Sequence, residues 1–128
     1  MLIRTGPEEY LLISSAGAAM TETLRMAIDA QTGSVTDLGH ARCRIGIEGA
    51  HCREALGKLL ALDLDESSFA PGQARLTGHH HVPCVLHRLA TDCFELYVTS
   101  SYASDQLATL IDAALEHGVA LRLDPNQP

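Results

Sequence analysis

Apolar residues recur at helical spacing in three segments of the chain. The first segment covers residues 18–31, the second begins at Gly49, and the third runs from Ser100 or Ser101 to Gly118. Within each segment the apolar residues lie three or four positions apart, which places them on one face of a helix. The three apolar faces consist, in chain order, of Met20, Leu24, Ala27 and Ile28; Cys52, Ala55, Leu56, Leu59 and Leu60; and Leu107, Leu110, Ile111, Ala114 and Leu115. We therefore predict three amphipathic helices, the last of them capped by a serine side chain.

Other segments alternate apolar with polar residues or form short apolar runs, as β-strands do. The clearest alternation covers residues 41–48. Its apolar face consists of Ala41, Cys43, Ile45 and Ile47. The opposite face carries Arg42 and Arg44, and we expect that face to meet water or a partner. Further strands are predicted over residues 10–13, 74–77, 82–89, 93–98 and 119–123.

The order of these elements determines the predicted fold class. A strand and a helix come first, two groups of strands alternate with the second and third helices, and a strand comes last. Residues 90–92 have the length of a hairpin turn, which favours antiparallel pairing of the strands that they join. Between the second helix and the next strand, residues 62–72 predict a structured loop held by Leu64 and Phe69. We predict a single α+β domain over residues 1–128, with an antiparallel sheet covered by helices.

Charge and hydropathy exclude several classes of protein. The formal net charge of -7 repels a phosphate backbone, so nucleic-acid binding is disfavoured. The apolar runs are far shorter than the ~20 residues of a membrane-spanning helix, and the N-terminus lacks the pattern of a secretory signal. We therefore expect no membrane association and a cytoplasmic location. The spacing of the four cysteines fits no close-paired zinc or thioredoxin motif, which predicts reduced and mostly buried thiols.

The run from His79 to His81 is the most metal-like feature of the sequence. If it were a strand, His79 and His81 would project to one face, where Cys84 or His87 could join them. A metal site needs ligands that converge with further support around them, so we favour a run without a metal. Cys84 and His87 lie three positions apart and would point to opposite faces of a strand, which argues against a thiolate–imidazole pair.

Other candidate chemistry is also weak. Asp63, Asp65 and Glu66 crowd one loop and are more typical of a solvated turn than of a cation site or an acid–base pair. Ser100 and Ser101 lack the glycines of a nucleophile elbow. The glycines near residues 46–49 match neither a phosphate loop nor a dinucleotide fingerprint. We therefore predict no catalytic residue, no cofactor-binding residue and no metal ligand in this chain.

Several motifs after residue 34 resemble one family in both order and spacing. In the middle of the chain they are Gly49, Arg53-Glu54-Ala55-Leu56-Gly57-Lys58-Leu59, Leu62-Asp63-Leu64 and Phe69-Ala70-Pro71-Gly72. Further along they are Thr77-Gly78-His79, Val82-Pro83-Cys84-Val85-Leu86-His87-Arg88-Leu89, Phe94-Glu95-Leu96-Tyr97-Val98, Ser100-Ser101-Tyr102-Ala103 and Leu110-Ile111-Asp112-Ala113-Ala114. Together they resemble gamma subunits of heterotetrameric sarcosine oxidases and related N-methyl amino acid oxidases or dehydrogenases. The chain lacks the tryptophan that these proteins often carry in the third helix.

This resemblance implies a fold, partners and cofactors. The implied fold is related to the folate-binding domain of glycine-cleavage aminomethyltransferases. The implied partners are alpha, beta and delta subunits, which would hold FAD, FMN, NAD, zinc and tetrahydrofolate. Such a complex demethylates sarcosine or a related N-methyl amino acid by oxidation, and tetrahydrofolate can capture the one-carbon unit. This chain would then be a subunit without catalytic groups of its own.

The expected partner interface lies where the core does not require the residues. Arg42 and Arg44 on one strand face, with His79 and His81 in the histidine run, are the candidate contacts. Arginines on an otherwise acidic protein can orient a partner through charge complementarity, although both arginines could equally be solvated. Two alternatives to a subunit role are a stand-alone aminomethyltransferase-like domain that binds folate and a homo-oligomeric scaffold.

Overall fold

The computed structural model describes residues 1–123, which form two compact units. The first, the N-terminal unit, covers residues 1–42, and the second, the sheet unit, begins at Cys43. The single domain predicted over residues 1–128 stays a prediction. Residues 124–128, which the sequence predicted to be a frayed tail, lie outside the described part of the chain.

The N-terminal unit contains a two-stranded antiparallel sheet and a helix. Strand β1 (Leu2–Arg4) pairs with β2 (Tyr10–Leu12), and Ile3 lies opposite Leu11. The turn between them is held by Arg4, whose guanidinium donates hydrogen bonds to the carbonyl oxygens of Gly6 and Pro7 at 2.9 and 2.6 Å. The strand predicted at residues 10–13 is confirmed, while β1 had no sequence signal long enough to predict it.

Helix α1 (Gly17–Ala27) ends four residues before the predicted helix does. The next residue, Ile28, is extended, and the chain then turns at Asp29. The carboxylate of Asp29 accepts a hydrogen bond from the backbone N–H of Gln31 at 2.8 Å, an alternative to continuing the helix that aspartate side chains commonly offer. The predicted apolar face of α1 exists as a pattern, but no residue of α1 is buried within the described chain.

The sheet unit is built on four strands in the order β3-β6-β5-β4. Their bounds are β3 (Arg42–Glu48), β4 (Ala74–His79), β5 (Val82–Ala90) and β6 (Cys93–Thr99). Strands β4 and β5 pair in antiparallel fashion, as do β5 and β6, and the predicted hairpin between β5 and β6 is confirmed. The alternating pattern of residues 41–48 is also confirmed, since Cys43, Ile45 and Ile47 pack against the core.

Two helices cover one side of this sheet with a shared apolar core. They are α2 (Cys52–Gly57) and α3 (Ala103–Ala114). The core cluster consists of Cys52, Leu56, Leu60, Leu64, Phe69, Cys84, Leu86, Phe94, Leu96, Val98 and Leu110. The side chains of Cys52 and Cys84 are buried, as the cysteine spacing predicted, and burial raises the pKa of the Cys52 thiol. The α+β class with an antiparallel sheet and covering helices is therefore confirmed.

A buried arginine holds the predicted loop against the sheet. Arg88 of β5 is fully buried, and its guanidinium donates to the carbonyl oxygens of Leu64 and Phe69 at 3.3 and 2.6 Å. It also donates to the carbonyl oxygens of Ala90 and Thr91, and its guanidinium stacks over the Phe94 ring at 5.3 Å. Leu64 and Phe69 are buried, so the prediction that they hold the loop is confirmed. Arg88 supplies the polar half of that attachment.

The third helix starts later than predicted, and most of its predicted apolar face is turned inward. A short 3-10 helix over Ser100–Tyr102 precedes α3, and the N-cap position of α3 is Tyr102 rather than the predicted Ser100 or Ser101. Gln106 and Leu110 are the buried residues of α3, whereas the predicted core residue Leu115 is exposed. The polar Gln106 is accommodated because its side-chain amide donates to the carbonyl oxygen of His79 at 3.3 Å.

The final predicted strand does not form. After a 3-10 turn over Leu115–His117, Gly118 ends the helical segment with a φ of 83°, and residues 119–123 have no regular secondary structure. The alternating apolar residues are exposed instead, and Leu123 is 97% exposed. Of the helices in the described residues, none has the length and apolar character to cross a membrane.

Candidate functional site

The predicted arginine face of β3 forms part of a polar network across the sheet. Arg44 donates from its Nη1 to Oε1 of Glu95 on β6 at 2.9 Å. The Tyr97 hydroxyl donates to Oε2 of the same carboxylate at 2.6 Å, and Nδ1 of His87 on β5 lies 3.5 Å from it. Strand register explains the grouping, because His87 is paired directly with Glu95 and Tyr97 follows two residues later on the same face.

Burial gives this network its electrostatic character. Tyr97 and His87 are buried, and Glu95 is mostly buried, while the Arg44 side chain is 39% exposed. Burial, reinforced by the Glu95 carboxylate, raises the pKa of the Tyr97 hydroxyl far above its ordinary value. The hydroxyl therefore remains a hydrogen-bond donor to Glu95. The network holds a carboxylate, but it does not present a deprotonated nucleophile.

The Arg44 side chain remains partly exposed while it contacts Glu95. Arg42 lies two residues away on the same strand face and is partly buried. The role of Arg42 and Arg44 at a partner interface stays a prediction.

The histidine run is split between the core and a turn. Strand β4 ends at His79, and His80 and His81 form the two-residue connection to β5, with φ values of 48° and 68°. Two successive residues with positive φ are typical of the tight turns that join antiparallel strands. His81 is therefore not on a strand face beside His79. Within residues 1–123 the structure does not gather His79, His81, Cys84 and His87 into one group of potential metal ligands.

His79 itself is fully buried, so its side chain offers no surface of this chain to a partner. Its Nε2 lies 3.0 Å from the Thr109 hydroxyl of α3, and its carbonyl oxygen accepts a hydrogen bond from Gln106. Burial lowers the pKa of the His79 imidazole, and His80 lowers it further. His79 is buried in this chain, whereas His81 is exposed in the turn, and the contact of either residue with a partner stays a prediction.

The acidic loop has the hydrogen bonds of a turn. Asp63 accepts from the Ser68 hydroxyl at 2.6 Å and from the backbone N–H of Asp65 at 2.9 Å. Asp65 accepts from the backbone N–H and the hydroxyl of Ser67 at 2.9 and 2.6 Å. These bonds lower the pKa of both carboxyl groups, the serine hydroxyls contributing most. The interpretation of this segment as a solvated turn is confirmed.

A further cluster of ionisable side chains was not predicted from the sequence. His51, Glu54 and His117 lie together where the start of α2 meets the segment after α3. The two imidazole rings are stacked with centroids 4.4 Å apart, and His51 Nδ1 lies 2.9 Å from Glu54 Oε1. The i, i+3 spacing of His51 and Glu54 was a visible signal, but His117 comes from a distant part of the chain. Only the packing of α2 against α3 brings it there.

Comparisons with known proteins agree with the fold of both units. The family model described as the GCVT N-terminal domain matches residues 1–122. A chain of the heterotetrameric sarcosine oxidase from Corynebacterium sp. U-96, solved in complex with pyrrole 2-carboxylate, superposes with a TM-score of 0.87 at 27% sequence identity. That match covers 95% of this chain and 63% of the solved chain.

Curated relatives give the same assignment. The sarcosine oxidase subunit gamma of Corynebacterium sp. (strain U-96) is 29% identical over 115 residues, which cover 90% of this chain and 56% of that protein. The sarcosine oxidase subunit gamma of Arthrobacter sp is 26% identical over 111 residues, covering 87% of this chain and 55% of the relative. The chain thus spans little more than half the length of these relatives. The resemblance to gamma subunits noted in the sequence is confirmed, and the chain belongs to the GCVT N-terminal domain family.

Proposed function

We propose that this chain is the gamma-type subunit of a heterotetrameric complex of the sarcosine oxidase kind. The observation that carries the proposal is the agreement of sequence and structure over nearly the whole chain, with a TM-score of 0.87 to a chain of such a complex. Gamma-subunit relatives match 87% and 90% of the chain. The partners proposed are alpha, beta and delta subunits.

The proposed contribution of this chain is to assembly rather than to the chemistry. The complex would oxidatively demethylate sarcosine or a related N-methyl amino acid and pass the one-carbon unit to tetrahydrofolate. We propose that FAD, FMN, NAD and tetrahydrofolate bind to the partner subunits, as does the zinc implied for the delta subunit. The side chains described above support this division, because the Arg44, Glu95 and Tyr97 network is held in hydrogen bonds and Tyr97 keeps its proton.

Exposed apolar residues support a permanent partner. In the N-terminal unit, Leu2 is 65% exposed and Met26 is 82% exposed, and Tyr10 is also exposed. A permanent interface commonly buries about 2,000 Å² or more, much of it apolar. Burial of these residues by another subunit would supply that contact. Removal of this chain should then reduce assembly of the complex more than it changes the chemistry of what remains.

Affinity purification tests this proposal. The tagged full chain is expressed beside its neighbouring flavoprotein genes, co-purifying proteins are identified by mass spectrometry, and the eluate is assayed with sarcosine, dimethylglycine and N-methylglutamate. We expect flavoprotein partners and oxidation of at least one of these amines. Recovery of the tagged chain alone, at concentrations where a permanent complex survives, would refute the subunit proposal.

Charge reversal tests the predicted interface within the same experiment. Arg42→Glu and His81→Glu should each reduce recovery of the partners, because both change the charge of the proposed contact surface. Arg122→Glu is the matched control, since Arg122 is a highly exposed arginine whose carboxylate contact with Glu48 spans 3.5 Å. If all three variants lose partners equally, the change in net charge explains the lower recovery. Arg42 and His81 would then not be interface residues.

The family match favours one competing function. A GCVT N-terminal domain that acted alone would bind a folate directly. Titration of tetrahydrofolate into the isolated chain separates the two possibilities, because micromolar binding without partners favours the stand-alone function. A homo-oligomeric scaffold would instead assemble in the absence of any other subunit, which sedimentation of the purified chain detects.

A further inference from the structure

His51, Glu54 and His117 form a cluster, here called the histidine–glutamate cluster, that has the composition of a transition-metal site. Within residues 1–123 it is the group of histidine, cysteine and carboxylate side chains whose ligand atoms all lie within 4.8 Å of one another. Two imidazoles and one carboxylate are a set that binds zinc in proteins, with a fourth position left for water or another ligand. We propose that this cluster binds one divalent cation of the zinc type and thereby connects the start of α2 to the segment that follows α3.

The fold brings the three donors together from two separate elements. His51 immediately precedes α2, and Glu54 lies in its first turn, so their side chains share one side of the helix. His117 is the last residue of the 3-10 turn that follows α3. Helix packing fixes this arrangement, because Lys58 of the α2 C-terminus donates to the carbonyl oxygen of Ala113 at 2.7 Å. The cluster therefore does not depend on a mobile loop.

The distances are close to those of a coordination sphere. Donor atoms around one Zn²⁺ at about 2.0–2.2 Å lie roughly 3.3 Å apart in a tetrahedral arrangement. In the cluster, His51 Nδ1 lies 2.9 Å from Glu54 Oε1, and His117 Nε2 lies 3.8 Å from Glu54 Oε2. The imidazole rings of His51 and His117 are stacked, so they would have to rotate about their side-chain torsions for both lone pairs to converge on one ion.

One donor is left without a hydrogen-bond partner. The Nε2 atom of His117 is shielded from solvent and makes no hydrogen bond to any described residue. A buried polar atom without a partner costs free energy, and a bound cation would satisfy this lone pair. His51 and Glu54 are more than half exposed, so a cation can enter and the fourth coordination position faces outward.

The neighbouring charges leave Glu54 as the carboxylate of the site. Glu116 also lies near His117, with Oε1 at 3.5 Å from Nε2, but Glu116 forms an ion pair with Lys58. Glu54 lies between the two histidines, with Oε1 2.9 Å from Nδ1 of His51 and Oε2 3.8 Å from Nε2 of His117. Two imidazoles favour zinc, cobalt, nickel or copper over magnesium and calcium, which prefer oxygen ligands throughout.

Titration of Zn²⁺ into the chelator-treated full chain tests the proposal. Calorimetry should give one equivalent bound with a dissociation constant in the micromolar range or tighter, and Co²⁺ should give the visible absorption of a nitrogen- and oxygen-bound ion. Zinc at 100 times its dissociation constant should raise Tm by about 10 °C, since it binds the folded state alone. None of these readouts requires partner subunits or enzymatic activity, so they are independent of the proposed function.

Three variants locate the ion. His117→Gln and Glu54→Gln should each weaken Zn²⁺ binding by about 100-fold or more, because each removes a ligand. His81→Gln is the matched control, since it removes an exposed histidine outside the cluster and should leave binding unchanged. Because Glu54 is largely exposed, Glu54→Gln should keep the fold intact. This variant therefore still tests the site if His117→Gln disturbs packing. Urea denaturation without metal verifies this for each variant.

Two outcomes would overturn the proposal. The first is the absence of stoichiometric binding, or weak binding of several equivalents that all variants retain, which would mean an adventitious ion only. The second is loss of binding in His81→Gln with full binding in Glu54→Gln, which would place the ion at the turn between β4 and β5. Loss in the two cluster variants alone would replace the expectation that this chain binds no metal.

Discussion

In the sheet unit, Leu56, Leu86 and Phe94 are completely excluded from solvent, whereas in the N-terminal unit Met26 projects almost fully into it. Ile3 is the buried apolar residue of the N-terminal unit within the described structure, and every other buried apolar residue belongs to the sheet unit. Both units have regular secondary structure and amphipathic sequences. The difference shows that an amphipathic pattern determines which face can be buried, but not whether this chain alone buries it.

Hydrogen exchange should reveal the largest contrast between the units. Amides of β5 and β6 lie in the middle of the sheet and should exchange only when the sheet unit unfolds. Amides of α1 lack a buried face and should exchange through local opening, at rates about 1,000-fold faster or more. Hydrogen-exchange mass spectrometry of the full chain measures both. Equal protection would show that the N-terminal unit unfolds together with the sheet unit.

Replacement of Arg88 should cause the largest loss of stability among single substitutions. Arg88→Met leaves the carbonyl oxygens of Leu64, Phe69 and Thr91 without their buried donor and should lower the free energy of unfolding by about 3–5 kcal/mol. Arg122→Met, at an exposed arginine, should change it by less than about 0.5 kcal/mol. Urea denaturation compares the two. A neutral Arg88→Met would mean that apolar packing alone holds the loop.

Truncation of one apolar residue in each unit tests the contrast directly. Leu56→Ala should cost about 3 kcal/mol of unfolding free energy, because it leaves a cavity in the core. Met26→Ala should cost less than about 0.5 kcal/mol in the isolated chain, since the side chain is already exposed. In the assembled complex, by contrast, Met26→Ala should reduce the recovery of partner subunits. A large effect of Met26→Ala on the isolated chain would contradict the description of the N-terminal unit.

The smallest predicted effect is a pH dependence confined to the sheet unit. Burial lowers the folded-state pKa of His79 below the 6.5 of an ordinary imidazole, so the unfolded chain binds this proton more readily. The contribution of neutral His79 to the free energy of unfolding is complete above pH 6.5. It is lost as the pH falls from 6.5 through the pKa of His79 in the folded state. His79→Gln removes that dependence, and the free energy of unfolding should then vary less between pH 7 and pH 5. An unchanged slope would assign the acid sensitivity to other groups.

The sequence correctly predicted the elements whose buried face follows from the spacing of their apolar residues alone. The alternation of residues 41–48 and the stripe from Cys52 to Leu60 both belong to the core as expected, because each has one apolar face and a sheet or helix against which to pack. The predicted strand at residues 119–123 has the same kind of alternation but no neighbour in the sheet, whose edges are β3 and β4. Alternation indicates that a segment can be a strand, and pairing decides whether it becomes one.

The candidate site was harder to predict because its parts meet only in three dimensions. Arg44 was identified as a candidate, but its partner Glu95 depends on the order of β3 and β6 in the sheet. The histidine run suggested a strand face, although His80 and His81 occupy a turn that sequences usually fill with asparagine or glycine. Arg88 lies in an apolar run where a charged residue is expected to face solvent. Nothing local indicates that four backbone carbonyl oxygens surround its side chain.

Arg88 also determines which evolutionary changes the loop before β4 can accept. Its guanidinium contacts main-chain oxygens of Leu64 and Phe69, which every amino acid carries, so substitutions between these two positions leave the contacts in place. An insertion or deletion there would displace one oxygen relative to the other, and a rigid planar guanidinium cannot follow both. Homologous chains with an arginine at this position should therefore keep the length of this segment more strictly than its composition.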